Sequence, residues 1–189
     1  MALNRAAIVE AGLNILDTYG LGDLSMRRVA DALGVQAGAL YYHVPNKQSL
    51  LAAISDEILA TVAAPARDAD LAGWLRAWAR SLRRALLARR DGAELVASSL
   101  ALGLGGVDPA AEGRARLVAV AAPNPEATMA ALLHFVLGHA VEEQTRSQMH
   151  ALGVLESFDA EAVGPRFEWG VELIVCGVEA ACAIRAECD

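Results

Sequence analysis

The chain has 189 residues, of which 55% are hydrophobic, so it has enough apolar material for the core of a folded domain. Lys and Arg number 16 against 23 Asp and Glu, and the resulting net charge of −7 excludes a protein that coats nucleic acid over its whole surface. Aromatic residues make up only 5%, while Ala and Leu are abundant, which favours helices over sheets. We therefore expect an all-α protein.

The amino-terminal part predicts four helices separated by short turns. Gly20 ends the first helix, and Ser25 is a good N-cap for the second, which Gly34 terminates. Pro45 breaks the third helix shortly after residue 43. The predicted helices of this part span residues 4–19 and 26–33, a short segment that ends at about 43, and residues 47–62.

The remainder of the chain is also predicted to be helical, with no alternating strand pattern and no internal repeat. The predicted helices span residues 71–89, 93–102, 110–121, 126–151 and 166–186. The glycine-rich segment 103–109 is predicted to be the most flexible stretch, and 152–165 is predicted to be a loop, with at most a helical turn.

Neither a leader, a membrane span nor a cysteine framework is indicated. The amino terminus has no apolar stretch of signal-peptide length, and no uncharged run reaches the about 20 residues of a membrane helix. The cysteines Cys176, Cys182 and Cys188 match neither a disulfide framework nor a zinc site. We expect a cytoplasmic protein with free thiols, no metal, no cofactor and no membrane partner.

The two short helices on either side of Gly34 have the pattern of a helix-turn-helix. Gly34 permits the positive φ that a tight turn between helices requires, and Ala30 is small where two helices cross. Small and aromatic residues on the third helix would let its backbone approach DNA. Residues 1–50 carry four basic and four acidic groups, so a helical hairpin without a DNA role fits the same pattern.

The sequence LSMRRVADALGV at residues 24–35, followed by ALYYHVPNK at 39–47, strongly resembles the TetR family of bacterial repressors. Residues 85–93, 134–144 and 167–179 resemble the carboxyl-terminal domain of the tetracycline-repressor type. The resemblance implies a DNA-binding head at residues 1–47, a connecting helix at 48–64 and a helical effector-binding and dimerisation domain at 65–189.

The resemblance also implies which residues contact DNA. Arg27 matches a position that reaches a base edge, and the start of the third helix matches positions that face the groove. Gly38 replaces a proline that is common in the most similar members. The predicted DNA-contact residues are Met26, Arg27, Gln36, Ala37, Gly38, Ala39, Tyr41, Tyr42, His43 and Lys47.

An apolar chamber with a few polar groups is what a small-molecule site requires, and the second domain has the residues for one. An ordinary core would use the same apolar residues, and the histidine at 134 could be a core residue. The predicted ligand-binding residues are Trp78, Leu82, Val96, Leu100, His134, Phe135, His139 and Glu142.

Of two positions that hold a tetracycline–Mg chelate in other members, one is retained in this chain and one is changed. The resemblance aligns their water-bridging glutamate with Glu142 and their metal-binding imidazole with Val96, which cannot ligate a metal. We therefore expect an apolar or amphipathic small-molecule effector that is bound without a metal.

Two long apolar helices, 126–151 and 166–186, are too apolar for the surface of a monomer, and Gly138, Gly170 and Gly177 would allow close helix approach. A homodimer with a four-helix bundle would bury them, as the family does.

The main prediction is a transcriptional regulator, a repressor that an effector releases from a palindromic double-stranded DNA operator, and not an enzyme. One alternative is a helical enzyme that uses Glu142 with His134 or His139, although the sequence offers no nucleophile or metal cluster for it. The other alternative is a helical small-molecule-binding or interaction protein that has lost specific DNA binding.

Overall fold

The computed structural model describes residues 3–66 and 68–188, with side chains described up to residue 185. Throughout this part the chain forms α-helices, one short 3-10 helix at Leu21–Asp23 and no strand, which confirms the all-α fold. The helices are α1 Arg5–Tyr19, α2 Met26–Leu33, α3 Ala37–Leu40, α4 Lys47–Ala60, α5 Leu71–Leu87, α6 Gly92–Ala101, α7 Ala111–Ala119, α8 Pro125–Ala151 and α9 Ala160–Cys188. Within the described residues, none of these helices has the length and hydropathy that crossing a membrane requires.

Tertiary contacts divide the chain into two compact units. Unit 1 contains Met1–Thr61 and Ala85–Val107, and unit 2 contains Val62–Arg84 and Asp108–Asp189. Residues 85–107, which the sequence analysis places in the second domain, therefore have their contacts with the amino-terminal helices.

The core of unit 1 forms where α1 packs against α2 and α4, and α4 packs against α6. Ile8, Leu16 and Ile54 are fully buried there. A Cβ atom on Gly12 would lie 2.7 Å from Cδ1 of Ile54, so only glycine lets α1 and α4 approach this closely.

Residues 88–91, called here the corner segment, bind the carboxyl-terminal end of α1 within unit 1. Asp91 Oδ2 accepts a hydrogen bond of 2.7 Å from the backbone N–H of Leu21. The guanidinium of Arg90 donates to the carbonyl of Thr18 at 3.0 Å, and Arg89 forms an ion pair with Asp17 at 2.5 Å. The bond from Arg90 satisfies a carbonyl that the end of a helix leaves without a partner, while the Arg89–Asp17 pair joins two side chains.

The glycine-rich loop, which was predicted to be flexible, makes backbone hydrogen bonds to α4. The carboxylate of Asp56 on α4 accepts hydrogen bonds of 3.0 Å from the backbone N–H groups of Gly106 and Val107. The loop is therefore attached to α4 by its backbone, a contact that the glycine content alone could not indicate.

Unit 2 consists of most of α5 together with α7, α8 and α9. Trp74 and Trp78 stack with ring centroids 6.3 Å apart, and both are buried. The indole N–H of Trp78 donates to the carbonyl of Pro109 at 2.9 Å, which fixes its orientation.

Helix α9 begins at Ala160, so the prediction of a loop through residue 165 is wrong. Asp159 caps the helix by accepting a hydrogen bond of 3.0 Å from the N–H of Ala162. Pro165 lies inside the helix near its amino-terminal end, where the missing N–H removes one bond from the helical ladder.

The three glycines that were predicted to allow close helix approach, Gly138, Gly170 and Gly177, have different surroundings. A Cβ atom on Gly170 would lie 2.2 Å from Cζ of Phe135, so the close approach of α8 and α9 predicted there is confirmed. No atom lies within 4 Å of a Cβ built on Gly138 or Gly177, so within one chain these two positions are open.

Candidate DNA-binding surface and effector site

Helices α2 and α3 are joined by a tight turn that the local sequence specifies. Ser25 Oγ accepts a hydrogen bond of 3.2 Å from the N–H of Arg28 at the start of α2. Gly34 ends α2 in the left-handed conformation, with φ 67° and ψ 31°. Val29 and Leu40 are fully buried beneath the two helices, which gives a helix-turn-helix.

The α3 surface, defined as the predicted contact residues from Gln36 to Lys47, lies at the outside of unit 1. The regular helix ends at Leu40, three residues earlier than predicted, and continues as a turn to residue 43. Gln36, Gly38, Ala39, Tyr41 and Tyr42 are exposed, and Ala37, His43 and Lys47 are half-buried. Tyr42 is 90% exposed, so its ring is available to a partner.

Two adjacent arginines of α2 have different environments. Arg28 forms an ion pair with Asp23 and lies over the ring of Tyr19, 3.9 Å from its centroid. Arg27 is exposed and has no hydrogen bond or ion pair within residues 3–66 and 68–188. Arg28 therefore stabilises the head, while the guanidinium of Arg27 can reach a ligand.

Met26 differs from the other predicted contact residues because it is buried, with 8% of its surface exposed. Its side chain contributes to the core of unit 1, and its contact with DNA stays a prediction.

The predicted apolar ligand residues are distributed over both units. In unit 1, Val96 is fully buried on α6 and Leu100 is half-buried. In unit 2, Trp78 and Leu82 are buried, which also suits an ordinary core.

His134 is exposed on α8, so its prediction as a residue of an interior chamber is corrected. Phe135, its neighbour, is half-buried and stacks on Phe167 with ring centroids 5.8 Å apart.

His139 and Glu142 line a cavity of about 260 Å³ in unit 2, called here the α8–α9 cavity. Its walls come from α8, the segment before α9 and the first turns of α9. The lining residues are His139, Glu142, Glu143, Arg146, Ser157, Phe158, Asp159, Val163 and Arg166.

The imidazole of His139 is the most perturbed group of this cavity. Burial lowers its pKa below the ordinary value, although the neighbouring Glu143 carboxylate acts in the opposite direction. Nδ1 is buried and lies 3.8 Å from Glu143 Oε2, beyond hydrogen-bond distance. His139 is therefore neutral at pH 7, with one ring nitrogen unsatisfied by the described part of the chain.

Sequence reasoning missed most of this cavity. Arg146 lies one helical turn after Glu142, a spacing that places both on one face of α8. Val163 was missed because its segment was assigned to a loop, while Phe158 and Arg166 were missed because no local pattern places them next to α8. The cap at Asp159 would have indicated an earlier start of α9.

Two family models match the chain. Residues 8–54 match "Bacterial regulatory proteins, tetR family", and residues 64–157 match "Tetracyclin repressor-like, C-terminal domain". The class E tetracycline repressor protein of Escherichia coli is 31% identical over 193 residues, which cover 92% of this chain and 89% of that protein. The chain belongs to the TetR family.

Other TetR relatives match over shorter segments. Tetracycline repressors of classes C and D are 42% identical to this chain, but the match covers 46% and 44% of their lengths. The chain thus spans about half the length of these curated relatives.

Solved structures of TetR-type regulators match the whole fold. BioQ of Mycobacterium smegmatis has a TM-score of 0.88 and 36% identity, over 95% of this chain and 99% of that one. BioQ with its double-stranded DNA operator has a TM-score of 0.81 and 34% identity, over 94% and 98%.

Proposed function

We propose that this protein is a dimeric, cytoplasmic repressor that binds a palindromic operator and leaves it when a small apolar or amphipathic effector binds. The α3 surface carries this proposal, because it combines exposed small, aromatic and polar residues with an adjacent exposed arginine, Arg27, that has no partner among the described residues. A matching structure that contains an operator supports it. In this proposal residues 1–47 bind DNA, residues 48–64 form a helix that connects the two domains, and residues 65–189 bind the effector and the second subunit.

Base recognition would depend on few side chains. Ala37, Gly38 and Ala39 carry no side-chain hydrogen-bonding group, so they allow close approach of the backbone but cannot read a base by hydrogen bonds. Arg27 and Gln36 would read base edges, while Tyr42 and Lys47 would contact the phosphate backbone.

The exposed face of α9 supports a dimer. Trp169 is 67% exposed and Leu173 is 57% exposed, one helical turn apart, and Gly177 follows one turn later with open space above it. A second copy that covers this face would place two heads on half-sites about one turn of DNA apart. An effector that stabilises another spacing of the heads would shift the population away from DNA.

Substitution of Gly177 by leucine tests the dimer. Because no other segment of the described residues lies within 4 Å of a Cβ built on Gly177, Gly177→Leu should preserve helical content and weaken the dimer by about 1–3 kcal/mol. Sedimentation velocity measures this effect. A wild-type protein that is monomeric at micromolar concentration would contradict the proposal.

The effector should bind without a divalent metal. Val96 is fully buried and aliphatic, so it adds apolar wall where a metal-binding member has an imidazole. Release from DNA by the effector should be unaffected by EDTA, and Val96→Trp should abolish release but preserve operator binding. Release by tetracycline with Mg at low micromolar concentration, abolished by EDTA, would refute this assignment.

Fluorescence anisotropy on the DNA upstream of the protein's own gene tests operator binding. Arg27→Ala should weaken binding by about 1–3 kcal/mol and relax the sequence preference at one position of each half-site. Arg84→Ala removes an exposed arginine of α5 and serves as the matched control.

Lys47→Ala should weaken all DNA sequences alike, and the salt slope should fall by about 0.9 for each phosphate that the variant no longer neutralises. Equal binding of operator and unrelated DNA by the wild-type protein would favour the interaction-protein alternative. Unchanged affinity and specificity of Arg27→Ala would refute the role of that residue.

A further inference from the structure

The α8–α9 cavity has two arginines without a carboxylate partner. Arg146 on α8 and Arg166 on α9 both line it, and neither makes a hydrogen bond or ion pair with any residue that the structure describes. They come from two helices that pack against each other, and both side chains are exposed at the cavity.

Two of the three carboxylates of the cavity already have partners. Glu143 receives two hydrogen bonds from Arg83, at 2.9 and 2.7 Å. Asp159 is engaged at the amino terminus of α9, where it accepts from the N–H of Ala162. Of the three, Glu142 alone has no hydrogen bond or ion pair among the described residues, so the cavity lining contains two unpaired arginines and one unpaired glutamate.

The other walls of the cavity are flat and partly apolar. Phe158 and Val163 contribute apolar surface, and the His139 ring packs edge-on against Phe167, with centroids 5.2 Å apart. At about 260 Å³, the cavity has room for a molecule as large as roughly nine water volumes.

We propose that the α8–α9 cavity binds a small organic anion, in which a carboxylate contacts Arg146 and Arg166 and a flat apolar body lies against Phe158 and His139. A guanidinium can pair with a carboxylate through two parallel hydrogen bonds. Two unpaired arginines therefore favour a carboxylate ligand over a neutral one. This inference rests on the proposed function, in which such an anion is the effector.

The test compares two probes of nearly equal shape, cinnamate and cinnamamide, which differ in charge. Isothermal titration calorimetry on the full chain should show that cinnamate binds at least ten-fold more tightly than cinnamamide. Raising the salt concentration should weaken cinnamate binding and leave cinnamamide binding unchanged.

Matched variants locate the site. Arg146→Gln and Arg166→Gln should each weaken cinnamate binding about ten-fold or more, whereas Arg84→Gln, which removes an exposed arginine that does not line the cavity, should have no effect. Glu142→Gln should tighten cinnamate binding, because it removes the one unpaired carboxylate of the cavity.

Operator binding by the same preparations separates the two claims. If the protein binds its operator but cinnamate and cinnamamide bind equally, or all three arginine variants behave alike, the inference of an anion site fails and the proposed function stands. If cinnamate binds with the expected variant pattern but does not alter operator affinity, the anion site stands and its role as effector site fails. An absence of operator binding overturns the proposed function itself.

Discussion

The arginines of α5 and those of the α8–α9 cavity lie in the same unit but have opposite environments. Arg76, Arg80 and Arg83 each make paired hydrogen bonds to a glutamate of α8 or α9, with distances between 2.6 and 3.0 Å. Arg146 and Arg166 have no such partner within the part of the chain that the structure describes.

The difference separates a structural use of arginine from a binding use. Arg76 holds the pKa of the Glu172 carboxyl below its ordinary value through their hydrogen bonds, so this pair is charged at neutral pH and connects two helices. An arginine without a carboxylate contributes no such bond and remains available to a ligand. The same contrast occurs between Arg28 and Arg27 in the head.

The largest expected effect tests the structural arginines. Arg83→Gln leaves the Glu143 carboxylate, only 18% exposed, without its ion-pair partner, and should lower the free energy of unfolding by about 2–3 kcal/mol. Urea denaturation measures this loss. Arg166→Gln should change stability by less than about 0.5 kcal/mol. Equal losses in the two variants would break the comparison.

The head gives a smaller effect of the same kind. Arg28→Ala removes an ion pair and a contact with the Tyr19 ring and should cost about 1 kcal/mol of stability. Arg27→Ala should leave the unfolding midpoint unchanged while it weakens operator binding. Thermal unfolding of both variants checks this, and a destabilised Arg27→Ala would show that this arginine also has a structural role.

Solvent exposure limits how much an ion pair contributes to the free energy of unfolding, and the pair between Arg80 and Glu168 tests this. The side chains of Arg80 and Glu168 are 46% and 45% exposed, so Arg80→Gln should cost only about 0.2–1 kcal/mol, and less at high salt. Chemical denaturation at two salt concentrations measures this. A loss of stability as large as that of Arg83→Gln would mean that burial does not determine how much these ion pairs contribute to stability.

The smallest effect concerns pH and His139. Burial lowers the pKa of its imidazole in the folded state, so the unfolded chain binds a proton more readily as the pH falls through about 6.5. Stability should therefore decrease as the pH falls through that range, and His139→Gln should reduce the slope. Unfolding curves at several pH values decide this; an unchanged slope in the variant would exclude His139 as its source.

Local signals in the sequence predicted the fold well. Ser25 and Gly34 mark the two ends of α2 as expected, because a cap and a left-handed glycine act within a few residues and need no tertiary information. Pro165 was misleading, because α9 begins at the cap of Asp159 and continues through the proline although the proline removes one bond of the helical ladder.

The site was predicted less completely. His139 and Glu142 were predicted as ligand residues, but the two arginines of the same cavity, Arg146 and Arg166, are 20 residues apart in sequence and share a cavity only through the packing of α8 on α9. The exposure of His134 was not predictable either, because an apolar segment does not show which of its faces a second copy covers.

The hydrogen bonds of the corner segment determine where this protein can be divided for engineering. Residues 89–91 complete the end of α1 through Asp91, Arg90 and Arg89, although some 70 residues separate them from it in sequence. A chimera that exchanges only residues 1–61 would therefore give the grafted head a foreign corner segment. A graft that also carries residues 85–107 transfers the head together with its own corner segment. The two segments that must be exchanged together to transfer DNA specificity are therefore not contiguous in the gene.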